Sequence, residues 1–438
     1  MLEAGPGPAD PRVAAQIRDG VRLPIGAASG VVRHHPAVLT DEPRRVVDLV
    51  RGAVVGGSGA VNGGYFCRGL PADFERWAVP GWGWADVLPH FRAIETDADF
   101  PGGVHGSRGP ITVRRTTEFD GCTAAFVESM RAAGFAWVAD LNGSDVDRPV
   151  LAGVGAVPLN IDGGTRVGPG GAFLQPALDR PNLTVCTDTR VRRVRMAGNR
   201  AIGVECAGGQ VWHADRIVLC SGAIGSAQLL MLSGVGLPGM LEPLGIDVVS
   251  DVPVGAATVD HPEWVLPVGW TPTHGLPPLE AVLTTVDGLE IRPYTASFSA
   301  MVHGPEHDPA AQPHLGVALM RPAARGRVRL VSADPEVAPL IEQHYDGVAE
   351  DVRLLARGAE MIRELLGGAV KIGEPVWSTS QHLAGTAPLG TVVDPTCRVH
   401  GVVGLWVVDG SIMPAITSRG PHATIAMVGH RAAEFVAT

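Results

Sequence analysis

The sequence predicts a mixed α/β fold, and three segments support that prediction. Residues 190–206 alternate apolar with basic or polar residues around Gly198-Asn199, which is typical of two strands joined by a tight turn. Residues 216–232 run from a short apolar segment through Ser221-Gly222 into a long apolar one, the pattern of a strand, a glycine turn and a helix. Residues 351–366 repeat apolar side chains at the spacing of an amphipathic helix.

The other elements follow from shorter patterns. In chain order we expect the end of a strand and then a polar segment in 2–20, short helices around a Trp-rich turn in 71–98, a helix in 119–135, strands at 182–187 and 325–331, a buried strand ending in an acid at 405–409 and a final helix at 424–435. Residues 263–320 are rich in Pro, Thr and His and show little period. They could cover a binding site or form a separate sheet.

Composition limits the classes of protein and partner. The chain has 438 residues, 45% of them hydrophobic and 18% charged, as expected of a folded globular protein. Its formal net charge is −10 and it has no long basic run, which argues against nucleic acid as a partner. The six cysteines form no C-x-x-C pair, so no metal site is predicted.

The N-terminus and the hydropathy pattern bear on localisation. The start Met-Leu-Glu-Ala-Gly-Pro has neither a basic region nor the apolar core of a signal peptide. No uninterrupted apolar stretch approaches the roughly 20 residues of a membrane-spanning helix. We therefore expect a cytoplasmic protein, with peripheral attachment to the inner face of the membrane, including contact with a respiratory chain, as an open alternative.

The segment Arg51–Tyr65 is dense in glycine, with six in fifteen residues. Glycines let backbone N–H groups approach an anion closely and adopt positive φ. The segment therefore suits a cradle for a phosphate-bearing cofactor, although a tight turn against a strand is the plainer alternative. Within it, residues 56–60 almost match the G-x-S-x-G motif of serine hydrolases, but Ala60 replaces the last glycine. Ser58 is thus a weak candidate nucleophile.

A second glycine motif misleads. Residues 234–239 read Gly-Val-Gly-Leu-Pro-Gly and match G-x-G-x-x-G literally. The motif follows a predicted helix rather than a strand, and Pro238 removes a backbone donor. We therefore interpret it as the end of a helix followed by a turn.

Four separated blocks of sequence together resemble the glucose–methanol–choline (GMC) flavoprotein oxidoreductases. They are Arg51–Asn62 with Asp73–Trp77 and Gly81–Trp84, then Gly222–Gly234 with Leu244-Gly-Ile and Asp260-His-Pro262, then Arg325-Gly-Arg-Val with Ser332–Pro335, and finally His382–Thr386 with Val408–Pro414 and Pro421–Thr424. Their order and spacing agree with the family over nearly the whole chain.

The resemblance implies FAD as cofactor and assigns site residues. It places the catalytic base at His382 and the family's second active-site residue at His422. It implies that the cofactor is contacted by Glu3, Gly56, Gly57, Ser58, Asn62, Gly63, Val191, Ser221, Gly222, Asp409, Gly410, Ala423 and Thr424. The backbone N–H groups of residues 423–425 are expected to face the flavin. Some choline-oxidising members attach the flavin through a histidine where this chain has Val61, so the FAD is expected to be non-covalent.

The resemblance also implies two discontinuous domains. Residues 1–70, 155–262 and 385–438 are expected to form a Rossmann-like FAD-binding domain. Residues 71–154 and 263–384 are expected to form a substrate-binding domain, in which helices cover a mostly antiparallel sheet.

The start of the chain departs from the family pattern. Glu3 matches the acid that binds ribose at the end of the second strand, and a G-x-G-x-x-G turn is expected about 20 residues before it. The sequence begins at Met1 and therefore lacks this first strand–turn–helix unit. A misassigned start, a shortened chain and a degenerate gene are the three explanations, of which we favour the first.

By resemblance, the chain is expected to oxidise a CH–OH group by hydride transfer to flavin N5. The substrate is a small-molecule alcohol or a reduced redox cofactor. Electrons pass to an unidentified acceptor other than oxygen, and the compact form resembles the dehydrogenases of mycofactocin gene clusters. The alternatives are a choline-type or general alcohol dehydrogenase or oxidase, a hydrolase using Ser58, and a cofactor-free inactive remnant.

Overall fold

The computed structural model describes residues 1–147, 152–308 and 311–437, and in them the chain forms nine α-helices and nineteen β-strands. The helices are α1 (Pro11–Arg18), α2 (Pro71–Trp77), α3 (Trp84–Ile94), α4 (Gly121–Ala132), α5 (Gly222–Leu232), α6 (Pro238–Leu241), α7 (Phe298–His303), α8 (Ala349–Leu366) and α9 (His422–Ala437). The mixed α/β class predicted from the sequence is confirmed.

The strands are short, and most lie in one four-stranded, one three-stranded and one six-stranded sheet. They are β1 (Val32–Asp41), β2 (Arg44–Gly52), β3 (Glu95–Asp97), β4 (Ile111–Val113), β5 (Gly153–Ala156), β6 (Ile161–Asp162), β7 (Thr165–Arg166), β8 (Val191–Ala197), β9 (Arg200–Cys206), β10 (Val211–His213), β11 (Ile217–Leu219), β12 (Pro262–Pro267), β13 (Ala281–Thr284), β14 (Leu289–Pro293), β15 (His314–Leu319), β16 (Arg327–Arg329), β17 (Leu340–Glu342), β18 (Val376–Thr379) and β19 (Leu405–Val407).

The largest sheet is antiparallel throughout, in the order β18-β12-β15-β14-β13-β5. Its inner strands carry apolar side chains such as Leu283, Ile291 and Val317, which are fully buried. These side chains pack against Leu355 and Ile362 of α8, which buries one face of its amphipathic pattern. The segment 263–320, whose role the sequence left open, thus supplies the central strands of this sheet.

A parallel strand pair and a buried helix form a second structural unit. Strand β11 pairs in parallel with β19 and continues through a glycine turn into α5. Helix α5 is apolar around its circumference because it is surrounded by protein, and most of its side chains are buried. The helix ends at Leu232, and Gly234 follows with φ +83°, so residues 234–239 are a helix end and turn, as predicted.

The glycine-rich segment leaves the end of a hairpin. Strands β1 and β2 pair antiparallel, and β1 also pairs in parallel with β17, giving the sheet order β16-β17-β1-β2. Strand β2 ends at Gly52, and a 3-10 turn at Gly57–Ala60 follows within a few residues. The hairpin therefore fixes where the glycines lie.

Two local expectations were wrong. Residues 11–18 form helix α1, which begins at Pro11 after an Asp10 side chain that accepts a hydrogen bond from Arg12 N–H. Residues 182–187 form no strand and contribute only an isolated bridge between Cys186 and Leu2.

None of the helices in the described part of the chain combines the length and apolar character needed to cross a bilayer.

Candidate active site

One cavity of about 1900 Å³ collects most of the residues that the sequence assigned to a site. It is larger than the roughly 300–1,000 Å³ usual for a single small ligand. Of the predicted residues it is lined by Glu3, Gly56, Gly57, Ser58, Asn62, Gly63, Val191, Ser221, Gly222, His382, Asp409, Gly410 and His422. Both candidate catalytic histidines therefore face the same space as the glycine turns.

The first turn of α9 differs from the expectation. Ala423 and Thr424 are fully buried and do not line the cavity. The expectation that the Ile425 N–H is free was wrong, because it donates to the carbonyl of Pro421 at 2.8 Å. The helix starts at His422, two residues earlier than expected, so the carbonyl of Pro421 already accepts the first bond of the helix.

The glycine-rich segment forms an open backbone turn at the cavity wall. Gly56 and Gly57 have φ values of +100° and +56°, which other residues rarely adopt, and a Cβ at Gly57 would meet only open space. Ser58 Oγ accepts a hydrogen bond from Gly52 N–H at 3.1 Å. In the described residues no histidine ring bonds this hydroxyl, so the base that a serine nucleophile needs is missing.

A strained loop presents His382 after β18. Gln381 has φ +64°, and its Oε1 accepts from Val50 N–H at 2.9 Å and from Arg51 Nη1 at 3.0 Å. These bonds tie the loop to β2 and hold a backbone conformation that is costly for a residue other than glycine. His382 is therefore delivered to the cavity by a loop fixed on its N-terminal side.

Asp260 fixes the same loop through a hydrogen bond from the backbone N–H of His382. Its Oδ1 accepts from the backbone N–H groups of His261 (2.8 Å) and His382 (2.9 Å). Its Oδ2 accepts from the Tyr345 hydroxyl at 2.8 Å, and Gln343 and Thr379 also donate to it. Burial raises the pKa of Asp260, and these hydrogen bonds oppose the rise. The carboxylate thus joins residues far apart in the sequence to the backbone of His382.

The ring of His382 meets a second histidine. Nδ1 of His382 lies 2.8 Å from Nδ1 of His261, and Nε2 of His261 lies 2.9 Å from the carbonyl oxygen of Thr417. Burial lowers the pKa of His382 well below its usual value, with smaller contributions from His261 and Arg292. His382 is therefore uncharged at neutral pH, as a proton acceptor must be.

His422 lies at the start of α9 and close to His382. Its Nε2 is buried and has no hydrogen-bond partner among the described residues. Burial lowers its pKa to about 4, and the Arg166 charge adds to the effect. A Cβ at Gly59 would stand 2.7 Å from Cε1 of His422, and one at Gly420 would stand 3.2 Å from Cε1 of His382. A side chain at position 59 would therefore clash with the His422 ring, and one at position 420 would press against the His382 ring.

A charge-balanced polar wall lies beside His382. Arg292 donates to Glu290 at 2.8 Å, to Glu263 at 3.1 Å and to Ser380 at 2.7 Å. Tyr294 donates to Glu263 at 2.9 Å, and Tyr65 donates to Glu290 at 2.8 Å. Nη1 of Arg419 also lies 3.8 Å from Oε2 of Glu290. The two carboxylates are thus matched by two guanidinium groups. The remaining wall of this region is apolar, with Leu23, Ile25, Leu279, Phe298, Met301 and Val302.

Asp409 has a role that the sequence did not show. Its carboxylate accepts from Gly222 N–H at 2.8 Å, from Ser226 Oγ at 2.6 Å and from the backbone N–H and hydroxyl of Ser411. All four bonds are internal, so the side chain fastens β19 to the start of α5. Gly222 has φ +74°, which allows the turn between β11 and α5.

The far end of the cavity is formed by residues near the N-terminus and by β8 and β11. Burial raises the pKa of Glu3, whose Oε1 accepts from Gly5 N–H at 2.9 Å. Val191 is the first residue of β8 and is half-buried. Strand β11 pairs with β19 on one edge, and in the described residues no strand pairs with its other edge, where Val218 is 37% exposed.

A second charged cluster lies apart from the cavity. Glu95, Asp97 and His105 are buried together in an arrangement that offers metal-ligand atoms, although the sequence predicted no metal site. Arg68 pairs with Glu95, and Arg115 donates to Asp97 at 2.9 Å. Burial opposes the charge on His105, but hydrogen bonds to carboxylates raise its pKa to about 10. A protonated histidine is no metal ligand, so we interpret the cluster as an ion-pair network.

Comparison with known proteins decides the family. Two family models match the chain, both described as GMC oxidoreductase, over residues 26–263 and 322–429. The chain belongs to the GMC oxidoreductase family. Membership makes it an oxidoreductase, and homologues in this family act on CH–OH donors. The resemblance noted from four sequence blocks is confirmed.

Several relatives cover most of the chain. A GMC-type oxidoreductase of Rhodococcus erythropolis, encoded in the thcA 5′ region and described as uncharacterized, is 40% identical over 94% of the chain and 88% of its own length. An oxygen-dependent choline dehydrogenase of Brucella ovis is 31% identical over 88% of the chain and 81% of its own length. The structure of pyridoxine 4-oxidase from Mesorbium loti superposes with a TM-score of 0.85 at 26% identity, covering 99% and 93% of the two chains.

The family implies FAD, and the residues at the flavin end of the cavity fit it. His422, whose buried Nε2 has no hydrogen-bond partner among the described residues, and the open glycine turn at Gly57 both line a space that the protein does not fill. Its lining residues include the two histidines as well as Glu3 and Val191, and its volume of about 1900 Å³ leaves room for a dinucleotide. Gly56, Gly57 and Ser58 would hold the diphosphate region, and His382 and His422 would flank the flavin ring.

Sequence reasoning missed the residues that hold His382. His261 and Asp260 lie in the Asp260-His-Pro262 block, which indicated the family but not a role for either side chain. Gln381 precedes the base directly, and its positive φ leaves no mark in the sequence. Arg292 could have been suspected from Glu290-Ile-Arg292, since alternate residues of a strand share one face.

Proposed function

We propose that the chain oxidises an uncharged alcohol to the carbonyl compound, with His382 as the base that takes the hydroxyl proton. The observation that carries this proposal is the pair His382 and His422, two uncharged rings facing one cavity beside the glycine turn. Bound flavin supplies the acceptor for the hydride that leaves the alcohol carbon. The protein must then remove one proton, and His382 is uncharged and held by a fixed loop, which suits this role.

His422 and the surrounding walls support the same reaction. The unpartnered Nε2 of His422 can hydrogen-bond the alcohol oxygen and orient it toward His382. The apolar side chains around Phe298 and Met301 exclude water from the reacting carbon. Orientation of the substrate and removal of the proton thus come from different side chains.

The test is anaerobic reduction of the bound flavin in a stopped-flow instrument. General bases contribute roughly 10²- to 10⁴-fold, so His382→Ala should reduce the rate constant by that factor while flavin remains bound. His400→Ala is the matched control, because His400 is exposed and lies outside the cavity. An unchanged rate constant in His382→Ala would sink the assignment, and a colourless protein that cannot be reconstituted with FAD would favour an inactive remnant.

We further propose that the substrate carries no positive charge. A carboxylate beside His382 could have attracted a quaternary ammonium group, but Glu263 is buried behind the cavity wall, paired with Arg292 and hydrogen-bonded to Tyr294. Choline is the second candidate substrate, favoured by the name of the Brucella ovis relative. A comparison of kcat/KM for choline and for an aromatic alcohol such as benzyl alcohol tests the proposal. A preference for choline would contradict it.

The attachment of the flavin and the electron acceptor complete the proposal. Val61 lines the cavity and offers no nucleophile, which supports non-covalent FAD. Acid precipitation should then leave the yellow colour in the supernatant.

We propose an electron acceptor other than oxygen, with reduced mycofactocin as one substrate. The support is the resemblance of the compact chain to the dehydrogenases of mycofactocin gene clusters. Stoichiometric hydrogen peroxide during turnover would refute the first part, and no flavin reduction by reduced mycofactocin would refute the second.

A further inference from the structure

A chain of two hydrogen bonds connects the ring of His382 to the protein backbone. His382 Nδ1 and His261 Nδ1 are 2.8 Å apart, and His261 Nε2 is 2.9 Å from the Thr417 carbonyl oxygen. Both distances are within the range of a hydrogen bond. The two rings stand almost perpendicular, at 87°, so this contact is edge-on rather than stacked. Neither bond is a contact between charged groups.

The carbonyl oxygen decides where the protons are. A carbonyl accepts and cannot donate, so His261 Nε2 must carry the hydrogen in its bond to Thr417. A neutral imidazole has a single N–H, so Nδ1 of His261 is bare and accepts. The hydrogen between the two rings therefore belongs to Nδ1 of His382. The remaining nitrogen of His382, Nε2, keeps its lone pair.

The argument requires that His261 be uncharged, and its surroundings ensure this. The side chain is 0% exposed. The carboxylate of the preceding residue, Asp260, accepts from backbone N–H groups and from three other side chains, and from neither ring. Burial lowers the pKa of His261 to about 3, and the charge of Arg292 lowers it further. Within the described part of the chain, no acidic side chain hydrogen-bonds the His261 ring to favour its imidazolium form.

We propose that His261 is a positioning residue that fixes the tautomer of His382, so that the bare Nε2 is the nitrogen available to the alcohol. This inference rests on the proposed role of His382 as base. In the proposed reaction the proton moves from the alcohol oxygen to Nε2 of His382, the C=O bond forms as the C–H bond breaks, and the hydride would pass to bound flavin. The imidazolium so formed keeps donating through Nδ1 to His261.

A second histidine pair in the chain allows the same argument, and its accepting ring, His430, serves as a control. His90 Nδ1 and His430 Nδ1 are also 2.8 Å apart, but Arg431 donates to His90 Nε2 at 3.0 Å. His90 must accept at Nε2 and therefore carries its hydrogen at Nδ1. His430 accepts at Nδ1, so its hydrogen is on Nε2. The same reasoning thus predicts different tautomers for His382 and His430.

The test is the ¹⁵N NMR spectrum of the holoenzyme labelled in its histidine rings. Ring nitrogens with and without hydrogen resonate far apart, and His382→Gln and His430→Gln identify the two residues. We expect His382 with hydrogen on Nδ1 and His430 with hydrogen on Nε2. A bare Nδ1 on His382 in the unmutated holoenzyme overturns the proposal, whatever the activity.

Two substitutions of His261 separate positioning from packing. His261→Gln can donate to Thr417 and accept from His382, whereas His261→Leu can do neither. We expect His261→Leu to mix the His382 tautomers and to slow flavin reduction about tenfold or more, with little change in KM, and His261→Gln to retain most of both properties. Equal loss in both variants overturns the proposal. A shifted tautomer with an unchanged rate supports His261 positioning and refutes His382 as base.

Discussion

The uncharged state of His261 makes a quantitative prediction about stability and pH. The side chain is fully buried, and its pKa is lowered to about 3 from 6.5. An unfolded chain binds a proton at this residue as the pH falls below its usual pKa, whereas the folded protein does not. Stability is therefore fully present above about pH 6.5 and is lost as the pH falls toward 3.

The size of the effect follows from the two pKa values. At about pH 5, an unfolded histidine is almost fully protonated and folded His261 only to about 1%. Protonation of the unfolded chain at this residue therefore lowers the free energy of unfolding by about 2 kcal/mol at about pH 5. At about pH 7.5 the unfolded histidine is almost uncharged, and the loss nearly vanishes. His261→Gln cannot titrate, so this part of the acid sensitivity should disappear in the variant.

The assay is urea unfolding of holoenzyme and of His261→Gln at the two pH values, at equal flavin saturation. Other buried histidines, such as His422 with its pKa of about 4, contribute equally to both proteins and cancel in the difference. We expect the unmutated protein to lose about 2 kcal/mol more than the variant between the two pH values. Identical losses would show that His261 is charged or exposed, and the proton assignment would fall with it.

Three further predictions concern the cavity walls. Asp409→Ala removes the acceptor for Gly222, Ser226 and Ser411, and should lower the unfolding free energy by about 2–4 kcal/mol, measured by urea unfolding; a loss below about 1 kcal/mol would contradict this. Gly59→Ala places a Cβ 2.7 Å from His422 and should weaken flavin binding measured by titration, whereas Gly239→Ala, with nothing within 4 Å, should not; equal affinities would refute the clash. Arg292→Met removes the guanidinium that pairs with both Glu263 and Glu290, leaves Glu263 without its buried ionic partner, and should lower the unfolding free energy by about 3–5 kcal/mol, measured by urea unfolding; a loss below about 1 kcal/mol would contradict this.

The parts of the fold that the sequence predicted are those with strong local patterns. The strand–glycine–helix unit at 216–232 and the helix at 351–366 appear close to the expected residues. Apolar periodicity and glycine turns are properties of neighbouring residues, so one sequence suffices to recognise them. Helix α1 was missed because it spans only eight residues, of which only Val13 is buried.

In the candidate site, too, the sequence predicted the residues that lie in recognisable motifs and missed those that act through distant contacts. His382 and His422 were found through family motifs, and the structure brings both to one cavity. The proton network behind His382 was not found, because it depends on a bond between residues 121 positions apart and on a carbonyl oxygen of Thr417. Any residue has a carbonyl, so sequence cannot indicate which one faces a ring. The roles assigned to the cofactor-contacting residues stay predictions.

The bond between Asp409 and Gly222 has a consequence for how the protein is made. It joins residues 187 positions apart, and the bond from Gln381 to Val50 joins residues 331 apart. Contacts so distant in sequence close large loops and form late, because chain entropy is lost before they stabilise anything. During synthesis, β11 and α5 emerge long before β19 reaches them. In the nascent chain the apolar helix α5 and the unpaired strand β11 are therefore exposed until β19 is synthesised. Such a state is prone to aggregation, and a chaperone would protect it.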